Sequence, residues 1–167
     1  NSGGPLLDSS GKMIGINTAI FTPSGGSVGI GFAIPIHTAK HIIAELISKG
    51  YVSYPWMGVE MQTLLPRFAQ ALGLPVQHGV LLIRVVKNGP AAKAGLRGGT
   101  RQVRIGNSIM IIGGDIITAL AGKAVSSIEE LSREIRRHAP GTTVNVTIVR
   151  GKTQGEMSIT LGARPLS

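Results

Sequence analysis

Two neighbouring segments, KMIGINTAI (12–20) and VGIGFAIPI (28–36), are apolar and β-branched at nearly every position. A strand with one wet face alternates polar and apolar residues. Segments without that alternation are expected to be strands buried on both faces, or parts of a larger barrel. The stretch FTPSGGS between them is turn-rich, so residues 11–35 are read as a pair of strands. The next segment, HTAKHIIAELISKG, changes period: Ala39, Ile42, Ile43, Leu46 and Ile47 share one helical face. Thr38 is the expected cap of that helix, and Lys49 and Gly50 mark its end.

After YVSYP, read as a linker with a boundary near residue 51, short strands alternate with turns. WMGVEMQTL and GVLLIRVV are strand candidates, RFAQALGL a short helix, and NGPAAKAGL a turn entering a helical turn. VRIGNSIMI suggests a hairpin around Gly106-Asn107. DIITALAGKAV suggests a strand, a tight turn and a short strand. SSIEELSREIRRHAPG is a predicted helix, with Ser127 and Glu130 as a capping box and Ile128, Leu131 and Ile135 on one face. TTVNVTIVRGKTQGEMSITL alternates around RGKTQG as a hairpin. The 24 glycines favour turns and strands over a helical bundle, and 43% apolar residues suffice for a core. With aromatics at 4%, that core must be aliphatic. The expected fold class is mainly β with α (α+β), in domains 1–50 and 51–167.

The formal net charge is +9, but the basic residues are scattered. The densest cluster, REIRRH, has no aromatic residues beside it. Single-stranded nucleic-acid binders pair charge with stacking rings, so no nucleic-acid partner is expected. Cysteine is absent, which excludes disulfides and thiolate metal sites. Arg84 and Asp115 interrupt the longest apolar runs, so no membrane span is expected. No His, Asp and Glu set has ligand spacing, so neither a metal nor another cofactor is expected.

The chain opens on NSGGPLLD. A serine hydroxyl is a poor nucleophile until a base takes its proton, whereas a glycine-rich turn can aim successive N–H groups at an oxyanion. NSGG alone is a common loop sequence. NSGGPLL, then GINTAI, then GFAIP, in that order and spacing, followed by an amphipathic helix, resembles the C-terminal part of an HtrA/Deg-family serine protease. The resemblance covers the whole chain. It implies a partial trypsin-like β-barrel segment over 1–50, with Ser2 as nucleophile and its own N–H as oxyanion donor. It further implies a substrate pocket with Ile20 lining it and Asn17 and Thr18 near the substrate backbone. In the trypsin-like chain order, His and Asp precede Ser. Both are therefore expected upstream of Asn1, and this chain by itself is expected to be inactive. His37, His41, His78 and His138 are read as surface or capping residues, and Asp8 as a turn former.

Residues 51–167 resemble that family's PDZ domain. WMGV resembles its carboxylate-binding loop, with Trp56, Met57, Gly58 and Val59 at the ligand terminus and Glu60 and Met61 beginning the binding strand. Ile128, Leu131 and Ile135 are candidates for the opposite groove wall. GPAAKAGL and GGDIITALAGKAV also match the family's pattern, and the residues between them are read as a hairpin insertion near 97–112.

The resemblance implies a serine endopeptidase of extracytoplasmic protein quality control, in the periplasm or at the cell surface. It would form homo-oligomers built on trimers and recognise unfolded or C-terminal peptide segments. The alternative is a non-catalytic PDZ peptide-binding module in which Ser2 is a remnant.

Overall fold

The computed structural model describes residues 1–21, 29–106 and 108–165, apart from the side chains of His41, Ile105 and Ser108. The chain divides into two compact units, Asn1–Val52 and Ser53–Ser167.

In the first unit, β1 (Pro5–Leu7), β2 (Met13–Phe21) and β3 (Ile30–Pro35) form an antiparallel sheet in that order. The FTPSGGS turn begins at Phe21, the last residue of β2, and its remaining residues, 22–27, lie outside the described residues. Helix α1 (Ile36–Lys49) follows β3 directly. Its N-cap is Pro35, with no side-chain cap bond. Thr38 therefore does not cap it. The helix starts three residues earlier than a Thr38 cap implies, and Thr38 lies inside the first turn. At the other end Gly50 takes φ 76° and donates its N–H to Leu46 O, an αL cap that a Cβ would strain.

The expectation of strands buried on both faces is not met within this unit. Ile20 is 71% exposed, Phe21 62% and Phe32 56%, and Ile43, Leu46 and Ile47 of α1 are exposed as well. Three strands and one helix offer too little surface to cover these side chains, and among the described apolar residues here only Ala39 is buried.

The second unit begins with β4 (Pro55–Trp56), β5 (Val59–Leu64), α2 (Pro66–Ala71), β6 (Gly79–Val85) and α3 (Pro90–Lys93). Then come β7 (Arg101–Ile105), β8 (Ser108–Ile112), β9 (Ile116–Leu120), β10 (Lys123–Ala124) and α4 (Ile128–Ile135). The unit closes with β11 (Thr143–Arg150), β12 (Thr153–Thr160) and β13 (Gly162–Ala163). The main sheet runs β12-β11-β9-β6-β5, with β10 on β9. Strand β4 pairs with β13, and β7 with β8. Pro55, read from sequence as linker, is thus a strand residue. A two-stranded ribbon tolerates its missing N–H.

Strand β6 explains the unbroken apolar run GVLLIRV. Val80 and Leu82 enter one core with Ile117, Leu131 and Val146, whereas Leu81 enters a second with Leu64, Phe68 and Met110. Both faces are covered, α4 contributing to the first core and α2 and the β7–β8 hairpin to the second. Met110 is the hairpin's buried anchor, and Asn107, expected from the sequence at its turn, lies outside the described residues.

Asp115 ties these parts together. Its fully buried carboxylate accepts hydrogen bonds from Arg97 N–H (2.8 Å), Arg150 Nε (2.7 Å) and Arg150 Nη2 (2.8 Å). Arg150 Nη2 also donates to Gly95 O at 2.8 Å. The segment after α3, the start of the insertion, the start of β9 and the end of β11 thereby meet at one ion pair.

Helix α4 is capped by Ser127, whose Oγ accepts from Glu130 N–H at 3.3 Å. The reciprocal bond is displaced by one residue. Glu130 accepts from the N–H and hydroxyl of Ser126, both at 2.7 Å, and these bonds hold its carboxyl below the usual range.

Candidate functional site

Two concave sites, one in each unit, hold the residues that the sequence singled out. In the first, the turn at Ser2 is fastened to β2. Gly3, at φ 84°, donates its N–H to Asn17 O (2.8 Å), and Asn17 donates back to Gly4 O (3.0 Å). A cavity of about 340 Å³ lies beside it, lined by Asn1, Ser2, Leu6, Asn17, Ile20 and Phe32 among others. Asn17 and Ile20 thus stand beside Ser2 in one cavity. Thr18 does not line it with its side chain, which donates to Phe32 O at 3.0 Å. Thr18 reaches the site through its carbonyl, which accepts the Ser2 hydroxyl at 2.8 Å.

That hydrogen bond defines the chemistry available here. A carbonyl oxygen accepts a hydrogen bond but does not take the proton, so Ser2 is not activated by it. No imidazole bonds to Ser2 among the described residues. His37 and His78 are exposed. His138 is half-buried, with Nε2 3.9 Å from Glu134 and without a hydrogen-bond partner. Asp8 is occupied within its own turn. It accepts from the Ser10 hydroxyl (2.7 Å), Lys12 N–H (2.9 Å) and Ser10 N–H (2.9 Å), which lower its pKa.

The second site is a groove of about 440 Å³ between the Trp56–Val59 segment and the last turn of α4. Strand β5 ends the main sheet, so one of its edges faces this groove rather than another strand. Gly58 takes φ 77°, and a Cβ there would stand 3.2 Å from the Trp56 ring and 3.3 Å from Pro90 Cδ. The Met57 carbonyl accepts from Ala91 N–H and the Gly58 carbonyl from Val86 N–H, both at 2.8 Å. In a trans peptide the N–H points opposite to the C=O. The N–H groups of Gly58 and Val59 are therefore turned away from the α3–β6 side, together, with no Cβ on Gly58. The start of α4 is held to the same strand, Ile128 N–H donating to Thr63 Oγ1 at 3.2 Å.

Of the residues expected here, Trp56, Met57, Gly58, Val59, Met61 and Ile135 line the groove. Glu60 points elsewhere and pairs with Arg84 on β6. Leu131 is completely buried in the main core, and half-buried Ile128 packs against that core, so neither is a wall residue. The apolar stripe of α4 mainly faces the sheet, and the wall is made by its next row, Ser132, Ile135 and Arg136. Ser132, Arg136, Tyr54 and Arg164 were not singled out from the sequence. Arg164 follows β13, and its N–H donates to Tyr54 O at 2.9 Å. Only the β4–β13 pairing brings it here, and no local sequence signal announces it.

Residues 55–161 match the PDZ domain family. Over 165 residues the chain is 42% identical to a probable periplasmic serine endoprotease DegP-like of Brucella suis, covering 99% of this chain and 29% of that protein. It is 41% identical to the chloroplastic Protease Do-like 1 of Arabidopsis thaliana, covering 99% of this chain and 36% of that one. Among solved structures it is similar to the HtrA-type protease AlgW with decapeptide, at 34% identity and a TM-score of 0.75, covering 99% of this chain and 46% of that one. The serine endoprotease from Yersinia pestis matches at 29% identity and a TM-score of 0.65, over 98% of this chain and 48% of that one.

Proposed function

The chain belongs to the HtrA/Deg family of serine proteases, with a PDZ domain over residues 55–161, and on that footing we propose that it is the nucleophile-bearing and peptide-capturing part of an extracytoplasmic serine endopeptidase. In this reading residues 1–50 are the C-terminal part of a trypsin-like protease domain, and 51–167 the PDZ domain with its inserted hairpin. Ser2 attacks the scissile carbonyl, its own N–H supplies one oxyanion donor, and Asn17, Thr18 and Ile20 receive the substrate. The chain spans roughly a third of its curated relatives, and the base that activates Ser2 is supplied by the remainder of such a protein. The protein acts on unfolded or misfolded chains in the periplasm or its equivalent, as an assembly of identical subunits.

The observation that carries the peptide-binding half is the pair of N–H groups at Gly58 and Val59 beside the open edge of β5. An extended peptide adds to that edge as a strand, and the two N–H groups take its terminal carboxylate. Met61 and Ile135 receive the terminal side chain.

Two measurements test the proposal. A fluorophosphonate probe, which reacts only with an activated serine, should label the full-length protein at Ser2 and leave this chain unlabelled. Failure to label the folded full-length protein overturns the protease assignment and leaves a peptide-binding module. Calorimetric titration of this chain with an apolar-ended peptide should give binding for the free acid and none for the C-terminal amide.

A further inference from the structure

The groove contains more positive charge than one terminal carboxylate requires. Arg136 and Arg164 both line it, both are exposed, and neither forms an ion pair among the described residues. No acidic residue lines the same groove. The imbalance extends beyond the groove: residues 53–167 hold 14 Lys and Arg against 6 Asp and Glu. Several of those acids are already engaged within the unit, Glu60 by Arg84, Asp115 by Arg150, and Glu134 by Lys123 and Arg137. An excess of one sign in a concave site attracts a ligand of the other sign and strengthens its last contacts.

We propose that this groove selects peptides carrying an acidic side chain at the penultimate residue, so that two carboxylates, one terminal and one from a side chain, enter together. The proposal rests on the reading of the groove as a C-terminal peptide site. In an added strand, successive side chains point to opposite faces. The terminal side chain goes to the apolar floor at Met57, Met61 and Ile135. The penultimate side chain faces away from that floor, and Arg136 and Arg164 are the cationic side chains of the groove lining available to it. The N–H groups of Gly58 and Val59 suffice for the terminal carboxylate, which leaves Arg136 and Arg164 for the second. A guanidinium presents several N–H donors in a planar fork and suits a carboxylate better than a point charge does.

The test is fluorescence polarisation on this chain with labelled decapeptides identical except at the penultimate position, Glu or Gln. Each is made as free acid and as amide. The Glu peptide should bind about three- to tenfold more tightly than the Gln peptide at low salt, the range expected of solvent-accessible charge pairs. The ratio should fall toward one at about 0.5 M NaCl. Arg136→Gln and Arg164→Gln should each reduce it and together abolish it, while Lys152→Gln, outside the groove, should leave it intact. Equal binding of acid and amide removes the underlying groove reading. Acid-dependent binding with equal affinity for Glu and Gln overturns this inference alone, as does a Glu preference that survives in the double variant. Circular dichroism confirms that each variant is folded, and if the double variant unfolds the two single variants decide.

Discussion

Removing the Asp115 carboxylate should cost the second unit about 3 kcal/mol. In Asp115→Ala three hydrogen bonds to a charged acceptor disappear, from Arg97 N–H and two nitrogens of Arg150. The group left behind is a guanidinium without its counterion. Breaking one side of a buried ion pair costs roughly 3–5 kcal/mol. The lower end applies because Arg150 is 35% exposed and recovers part of its solvation from water. Asp115 itself is 0% exposed, so Arg150→Met, which strands the carboxylate, should cost more, about 4–5 kcal/mol. Replacing both, Asp115→Leu with Arg150→Met, should cost less than either single change, because no orphaned charge remains. Trp56 is the only tryptophan of the chain and lies in this unit, so urea titration followed by its fluorescence isolates the relevant transition. A loss of 3 kcal/mol in a unit of this size lowers Tm by about 12 °C. A loss under about 1 kcal/mol for Asp115→Ala, or simple additivity in the double variant, would refute the assignment of this pair as the tie between β9, β11 and the insertion.

Three further perturbations follow from the same geometry. Gly58→Ala forces a Cβ into a positive-φ position 3.2 Å from the Trp56 ring; at about 1–2 kcal/mol of backbone strain, it should weaken free-acid peptide binding about tenfold in calorimetry. Ser127→Ala removes the acceptor of Glu130 N–H and should lower urea stability by about 1 kcal/mol. Glu134 is held below the usual carboxylate range, first by the Lys123 hydrogen bond and then by the charges of Lys123, Arg137 and His138. A lowered folded-state pKa contributes stability above the unfolded-state value and loses it as pH falls through the folded one. The Tm gap between the protein and Glu134→Gln should therefore be full at neutral pH and close on acidification below the ordinary glutamate range.

Periodicity located the elements better than it located their surroundings. The α4 stripe was visible as Ile128, Leu131 and Ile135, but a helix lying over a sheet edge has a core row and a wall row side by side. Hydropathy does not separate them, and only the fold assigns Leu131 to the first and Ile135 to both. The Trp56–Val59 loop was legible because a glycine between apolar residues marks close backbone approach, and Gly58 has the positive φ such a position uses. Arg164 was invisible, since it reaches the groove through a strand pairing between residues more than a hundred apart. Strands β2 and β3 were expected to be buried on both faces or to belong to a larger barrel, yet within this unit Ile20, Phe21 and Phe32 are exposed.

The two sites differ in how much of each this chain supplies. The groove has its edge strand, the N–H groups of Gly58 and Val59, apolar lining at Met57, Met61 and Ile135, and two arginines, Arg136 and Arg164, from residues 54–164. The serine turn has a hydroxyl, a glycine turn and a neighbouring cavity, but its hydroxyl rests on a carbonyl and the strands around it leave Ile20, Phe21 and Phe32 in water. Exposed apolar strands of this kind gain a large free energy from any surface that covers them, about 25 cal/mol for each Å² removed from water. On the proposed protease reading, a surface that covers these strands would also bring the base to Ser2, so burial of the first unit and activation of its serine would be one event. Peptide binding at the proposed groove does not depend on that event. Binding by this chain should therefore persist where catalysis is absent, and gain of probe labelling at Ser2 should coincide with protection of the β2 and β3 amides from hydrogen exchange.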